Sequence, residues 1–435
     1  MVPHGRRCTV PGRTAVGDGA GSAAGRRTMS CAVTNSDATG IVEGRRYQTG
    51  EPVRVVCAGP VIERVEPIFT RESPDGWPWV APGLFDLQVN GYGGRWFASA
   101  TLTVDDVRQI VQQFLRRGVT RLLPTLVTGP TEALEHGLRV IRSACQRDPE
   151  VRAAIQGCHL EGPFISAEDG PRGAHAREHV RPASIEEFER LQRAAEGEIR
   201  LLTLAPEVPG AIELIRHATR RGVTVAIGHT AAGAEDIRAA VEAGARLSTH
   251  LGNGAHAVLP RHPNYIWEQL AEPRLWASVI GDGFHLPGSV VRCIVAVKGR
   301  LRTILTCDAA GLAGVAPGVY RTPAGDCEVL QDGRIVVAGQ RTLLAGSALT
   351  TEQCVVRTAA MTGFDAGEVW EMASRNPARL LRLPEHALRR GHPARLVRYF
   401  VEEPPASTAS VDGGAIRRWP VLRIDGVWFD GRRVV

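Results

Sequence analysis

Four short stretches each end an apolar run on a residue that can bind a metal or move a proton. "VRAAIQGCHLEGP" brings Glu161 to the point where a strand must stop, because Gly162-Pro163 cannot extend a ladder. "TVAIGHT" runs out at His229, "ARLSTHLGNGAH" reaches His250, and "TILTCDAAG" reaches Asp308. Each alone has an ordinary structural explanation: a lone glutamate caps or pairs locally, and a buried histidine is more often hydrogen-bonded than ligating. Together they form a set. Histidine nitrogen and carboxylate oxygen suit Zn²⁺, three protein ligands leave a position open for water, and a neighbouring aspartate can take that water's proton. The candidate site is therefore one divalent metal ion, most simply Zn²⁺, on Glu161, His229 and His250, with Asp308 as general base.

Such a set does chemistry only if the strand ends meet. "VDDVRQIVQQFLRRGVTRLLPTLVT" places Val107, Ile110, Val111, Phe114 and Leu115 at helical spacing and then switches to a wholly apolar strand. "AIELIRHATRRGVTVAIGHT", "AAGAEDIRAAVEAGARLSTHL" and "SVVRCIVAVKGRLRTILTCDA" repeat the unit. Strands without polar alternation are buried on both faces, as in a parallel sheet. Helix and strand repeated four times or more predict a (β/α)8 TIM-type barrel, whose chemistry gathers at the C-terminal ends of its strands. Both flanks read differently: "GIVEGRRYQTGEPVRVVCAGPVIERVEPI" and, near the other end, "HPARLVRYFVEE" and "WPVLRIDGVWFDGRRVV" are short alternating strands that could pair into one small β domain. The expected division is a disordered leader at 1–38, rich in Gly, Arg, Ala and Ser with Met29 as an alternative start, the small domain at 39–80 and 381–435, and the barrel at 81–380.

Composition is compatible with this and excludes little else. The chain of 435 residues is 43% hydrophobic, enough for a large core, and its net charge of +6 comes from scattered arginines rather than a basic block interleaved with aromatics. No nucleic-acid partner is expected, and no run is long and apolar enough for a membrane span. Nine cysteines spread singly from Cys8 to Cys354, without a C-x-x-C pair, point to a reducing, cytoplasmic compartment.

The ordered set "PGLFDLQVNGYGG", "HLEGPF", "GAH" at 173–175, "LAPE", "GHT", "THLGNGAH", "DGFHL", "TCDA" and "LAGSALT" resembles the N-acetylglucosamine-6-phosphate deacetylase family of the amidohydrolase superfamily, over roughly residues 40 to 400. The resemblance implies a deformed barrel with a small β-sandwich domain built from both chain ends, metal ligation by Glu161, His229 and His250, and proton transfer by Asp308. It implies that His175 contacts the acetamide carbonyl, with Ala174 beside it. Gln88 and Asn90 stand where many such hydrolases carry a pair of histidines for a second metal; amides are poor Zn²⁺ ligands, so one metal is expected. Asn253, Gly254 and Arg261 match the segment that holds the sugar phosphate, Asp282 through His285 a second substrate-contacting stretch, and Leu344, Ala345 and Gly346 a third. A homodimer is implied, the partner subunit helping to close the pocket, with a phosphorylated amino sugar as substrate.

The chain departs from that pattern in "GNGAHAVLPRHPNYIWEQL", which adds His256 and His262, both expected to be non-ligands. "ARLVRYF" also stands where an acidic residue is common, remote from the metal. Two other readings stay open: an amidohydrolase or deacetylase acting on a different N-acetylated sugar or amide, and a barrel kept for binding without catalysis. Loss of a ligand or of Asp308 would favour the latter, and neither is lost.

Overall fold

The computed structural model describes residues 40–71, 73–403, 410–412, 415–417 and 419–435; the leader expected at 1–38 lies outside them. Eight parallel strands follow one another around a barrel in chain order: β1 (Leu84–Val89), β2 (Val119–Val127), β3 (Cys158–Glu161), β4 (Ile199–Leu204), β5 (Thr224–Ile227), β6 (Leu247–Ser248), β7 (Trp276–Ile280) and β8 (Thr303–Thr306). They are buried along almost their whole length, which is why they carry no polar alternation. Phe85, Leu87, Leu123, Leu201, Ala226, Leu247 and Ile304 pack together in one apolar cluster with Leu380 and Leu381.

The intervening helices bury one stripe each. In Val104–Leu115 the five apolar residues picked out by spacing are the buried ones, and Thr103 and Asp106 close a reciprocal cap at its start. Barrel closure between β8 and β1 needs more than a ladder. It rests on a single parallel bridge, Val89 to Ala309, and on the fully buried Asp86. The Asp86 carboxylate accepts from Thr306 Oγ1, the Cys307 and Gln88 backbone N–H groups and Thr351 Oγ1, so all its acceptor sites are used across the seam.

The chain ends pair as expected. Arg432–Arg433, Val421–Phe429, Leu396–Glu402, Trp79–Pro82, Ile41–Arg46, Pro52–Ala58 and Val61–Pro67 form, in that order, one seven-stranded sheet. A further four-stranded antiparallel sheet spans Gly318–Leu344, between β8 and the helix Thr351–Thr362; its hairpin turns "PAGD" and "QDGR" are visible in the sequence, but its placement beside the barrel mouth is not. No helix of the described residues is long and apolar enough to cross a membrane.

Candidate metal centre and active site

Glu161 is the last residue of β3, and His229, His250 and Asp308 lie just beyond β5, β6 and β8. These last three share an uncommon backbone: φ is +51° at His229, +29° at His250 and +51° at Asp308. For residues with a Cβ, such positions cost on the order of 1–3 kcal/mol and persist where surrounding structure enforces them. Each strand thus turns sharply as it ends and throws one side chain inward. Glu161 Oε1 is 3.2 Å from His229 Nε2 and 3.0 Å from His250 Nε2, and the two Nε2 atoms are 3.1 Å apart.

Hydrogen bonding alone does not explain this cluster. His229 Nδ1 lies 2.9 Å from the Pro171 carbonyl, which can only accept, so the ring proton sits on Nδ1 and Nε2 presents a lone pair. That lone pair and the carboxylate oxygen therefore converge with no proton of their own between them, in a site where Glu161, His229 and His250 are almost wholly buried. The donor set fits a divalent cation. His175 belongs to the same group: one ligating atom each from Glu161, His175 and His229 fall within 4.8 Å of one another. Its Nδ1 meets Thr128 Oγ1 at 2.7 Å, which leaves Nε2 for the site.

The amides complete the arrangement. Gln88 Nε2 donates to Glu161 Oε1 at 2.9 Å and Asn90 Nδ2 to Asp308 Oδ1 at 2.7 Å, so both act as donors to the acidic groups. Burial would raise the Glu161 carboxyl, but positive charge at His229 and His250, whether a proton on the rings or a cation between them, holds it well below the usual range. Asp308 moves the other way: burial and the nearby charge of Glu161 push it up. Two acids in one site driven apart in this way suit one to bind charge and the other to carry a proton. His175 is pushed down to about 3 by burial, then by His229, and stays neutral.

A cavity of about 370 Å³ opens over these groups. Ala174, His175, Asn253, Gly254, His285, Leu344, Ala345 and Gly346 line it. Asp282 and Arg261 do not. Asp282 is buried behind the wall, where it accepts from His285 Nδ1 at 2.7 Å and from the Phe284 and His285 backbone N–H groups, and so fixes His285. Arg261 is exposed on its loop. Residues not anticipated as lining include Trp96, His256, Cys327 and Leu343. Cys327 and Leu343 come from the four-stranded sheet, and Trp96 packs against Cys327 and Ala345 in one apolar cluster. Nothing local in the sequence links these residues to the strand ends that carry the acidic and histidine side chains.

Acid and histidine side chains gathered at the strand ends of a parallel barrel define a metal-dependent hydrolase, and the model of the amidohydrolase family matches residues 79–399: the chain belongs to that family. Within it, the chain is 36% identical over 321 residues to the N-acetylglucosamine-6-phosphate deacetylase of Homo sapiens, covering 70% of this chain and 75% of that one. It is 32% identical over 352 residues to the N-acetylgalactosamine-6-phosphate deacetylase of Escherichia coli O157:H7, covering 79% and 90%. The crystal structure of N-acetyl-D-glucosamine-6-phosphate deacetylase from Mycobacterium smegmatis superposes with a TM-score of 0.76 at 30% identity, over 88% of this chain and 96% of that one.

Proposed function

We propose that the protein hydrolyses the N-acetyl group of N-acetylglucosamine 6-phosphate, giving glucosamine 6-phosphate and acetate. The observation that carries this is the convergence of Glu161, His229 and His250 on one point, with Asp308 at the neighbouring strand end and His175 over the opening. A divalent cation, Zn²⁺ by its ligand chemistry, would be held by those three side chains and would supply a Lewis acid for the amide carbonyl and the water. His175 donates to the same carbonyl as negative charge develops there. Asp308 takes a proton from the attacking water and returns it to the sugar nitrogen as the C–N bond breaks. Asn90 holds the Asp308 carboxyl in line for both transfers.

Among the described residues no lysine or arginine lines the cavity. A phosphate must then meet a cation from outside, and the exposed Arg261 serves in that role if the protein is a homodimer whose partner subunit closes the pocket. Seven cysteines of the described residues are free, which supports a cytoplasmic setting. The test is acetate release by zinc-loaded protein from N-acetylglucosamine and N-acetylgalactosamine, each with and without a 6-phosphate. The phosphorylated gluco sugar should be preferred by at least an order of magnitude in kcat/KM; equal turnover of plain and phosphorylated sugars would sink the phosphate reading and leave the amide chemistry standing.

A further inference from the structure

The loop that leaves β3 and the loop that leaves β6 meet over His229. Pro171 of the first accepts the His229 Nδ1 proton, and Gly254 of the second approaches so closely that a Cβ there would stand 2.7 Å from the same nitrogen. Farther along, a Cβ on Gly170 would lie 2.8 Å from His256 Cα, and its φ of +99° is one that residues with a Cβ rarely adopt. The two loops therefore touch backbone to backbone. One carries Ala174 and His175, the other Asn253 and Gly254, and all four face the cavity.

Three side chains tie this contact from its outer side. Glu168 Oε2 is 3.1 Å from His256 Nε2, and the Tyr265 hydroxyl is 3.0 Å from His256 Nδ1 and 2.8 Å from the His256 backbone nitrogen. The bonds complete one another: Nε2–H donates to Glu168, Nδ1 accepts from the tyrosine O–H, and the tyrosine oxygen accepts the backbone N–H. His256 and Tyr265 both belong to the stretch in which the sequence departs from its family, so the departure contains its own support. We propose that Glu168, His256 and Tyr265 are positioning residues for substrate binding, a clamp that sets the distance between the two substrate loops. Glu168 and Tyr265 lie outside the cavity lining, and His175 keeps its own anchor on Thr128 Oγ1 at 2.7 Å, so the effect falls on binding of the sugar more than on cleavage of the amide.

The proposal takes its assay from the deacetylase reading and is tested by kinetics and hydrogen exchange together. Glu168 is 64% exposed, so Glu168→Ala will leave the fold intact. It should raise KM for the phosphorylated N-acetylhexosamine about five-fold, the scale of one hydrogen bond, with kcat within two-fold. Glu168→Gln, whose amide oxygen still accepts from Nε2–H, should restore KM. The double variant Glu168→Ala/His256→Ala should bind no worse than His256→Ala alone. Amide exchange across 166–176 and 251–264 should quicken in Glu168→Ala. Unchanged KM in both alanine variants, additive effects in the double variant, or unchanged exchange would each overturn the clamp. An inactive wild-type protein would overturn the deacetylase reading instead, and exchange would still decide the clamp.

Discussion

The rim of the barrel and the seven-stranded sheet spend their polar groups in opposite ways. In the sheet, charged side chains pair off at its surface, as Arg54 does with Glu43 at 2.6 Å and Arg395 with Asp430 at 2.7 Å, and its aromatic residues stack, Trp370 of an adjoining helix lying parallel to Tyr399 at 4.7 Å. At the rim, His229, His250 and Asp308 sit in left-handed backbone, and buried His250 Nδ1 and Asn90 Oδ1 have no partner within the chain. A region that only supports can satisfy every group; one that does chemistry must hold some groups ready for something not yet there.

If this contrast is right, the largest effect of any single change belongs to the rim. His229→Ala should abolish bound metal and activity together, because a three-ligand site has no redundancy; elemental analysis that still finds a full complement of metal would break the assignment. Asp308→Asn keeps the shape and the Asn90 contact but removes the proton acceptor. Turnover should fall roughly 100- to 10,000-fold with metal retained, as measured by acetate release alongside metal content.

The supporting region should behave in reverse. Trp370 is fully buried, donates from Nε1 to the Pro82 carbonyl at 2.8 Å and stacks on Tyr399. Trp370→Ala should cost about 3–5 kcal/mol of stability by denaturant unfolding, while kcat of the remaining folded protein stays within two-fold. A large loss of kcat at unchanged stability would erase the distinction between the regions.

The joint between them offers the smallest and most graded effect. Glu352, on the helix Thr351–Thr362 that contacts both, is pushed up to about 7 by burial, against the weaker pull of the Thr350 hydroxyl. A carboxyl raised on folding favours the protonated form, so its contribution is intact below the ordinary carboxylate pKa and is lost as pH rises toward 7. Glu352→Gln should match wild type at pH 4 and exceed it at pH 8 by up to about 3 kcal/mol. Melting curves at the two pH values will show whether the gap opens.

Much of this was legible in residue order because the barrel repeats. Period-3.6 stripes and unbroken apolar strands located the units, and Glu161, His229, His250 and Asp308 stood out by where the strands stopped. What stayed hidden depends on contacts far apart in sequence. Asp282 reads like any acidic residue near a strand end, and only packing shows it turned behind His285. His256 looked like a spare histidine until the fold brought Glu168 to it. The sheet at Gly318–Leu344 falls inside the range read as barrel, since sheet-to-barrel docking leaves no periodic trace.

The Asp86 seam bears on how such a chain comes to be active at all. The proposed ligands Glu161, His229 and His250 stand at the ends of β3, β5 and β6, strands of the arc that pair with near neighbours in sequence. Asn90 and Asp308 belong to the two strands that close the ring, and their hydrogen bond spans 218 residues, as the Asp86–Thr306 bond spans 220. Chain-closure entropy disfavours such distant pairings early in folding. On the proposed assignment, a nascent barrel would gather its three ligands while still an open arc and would gain Asp308 only when the last gap shuts, so that cofactor capture and competence would be separate events in the life of the molecule.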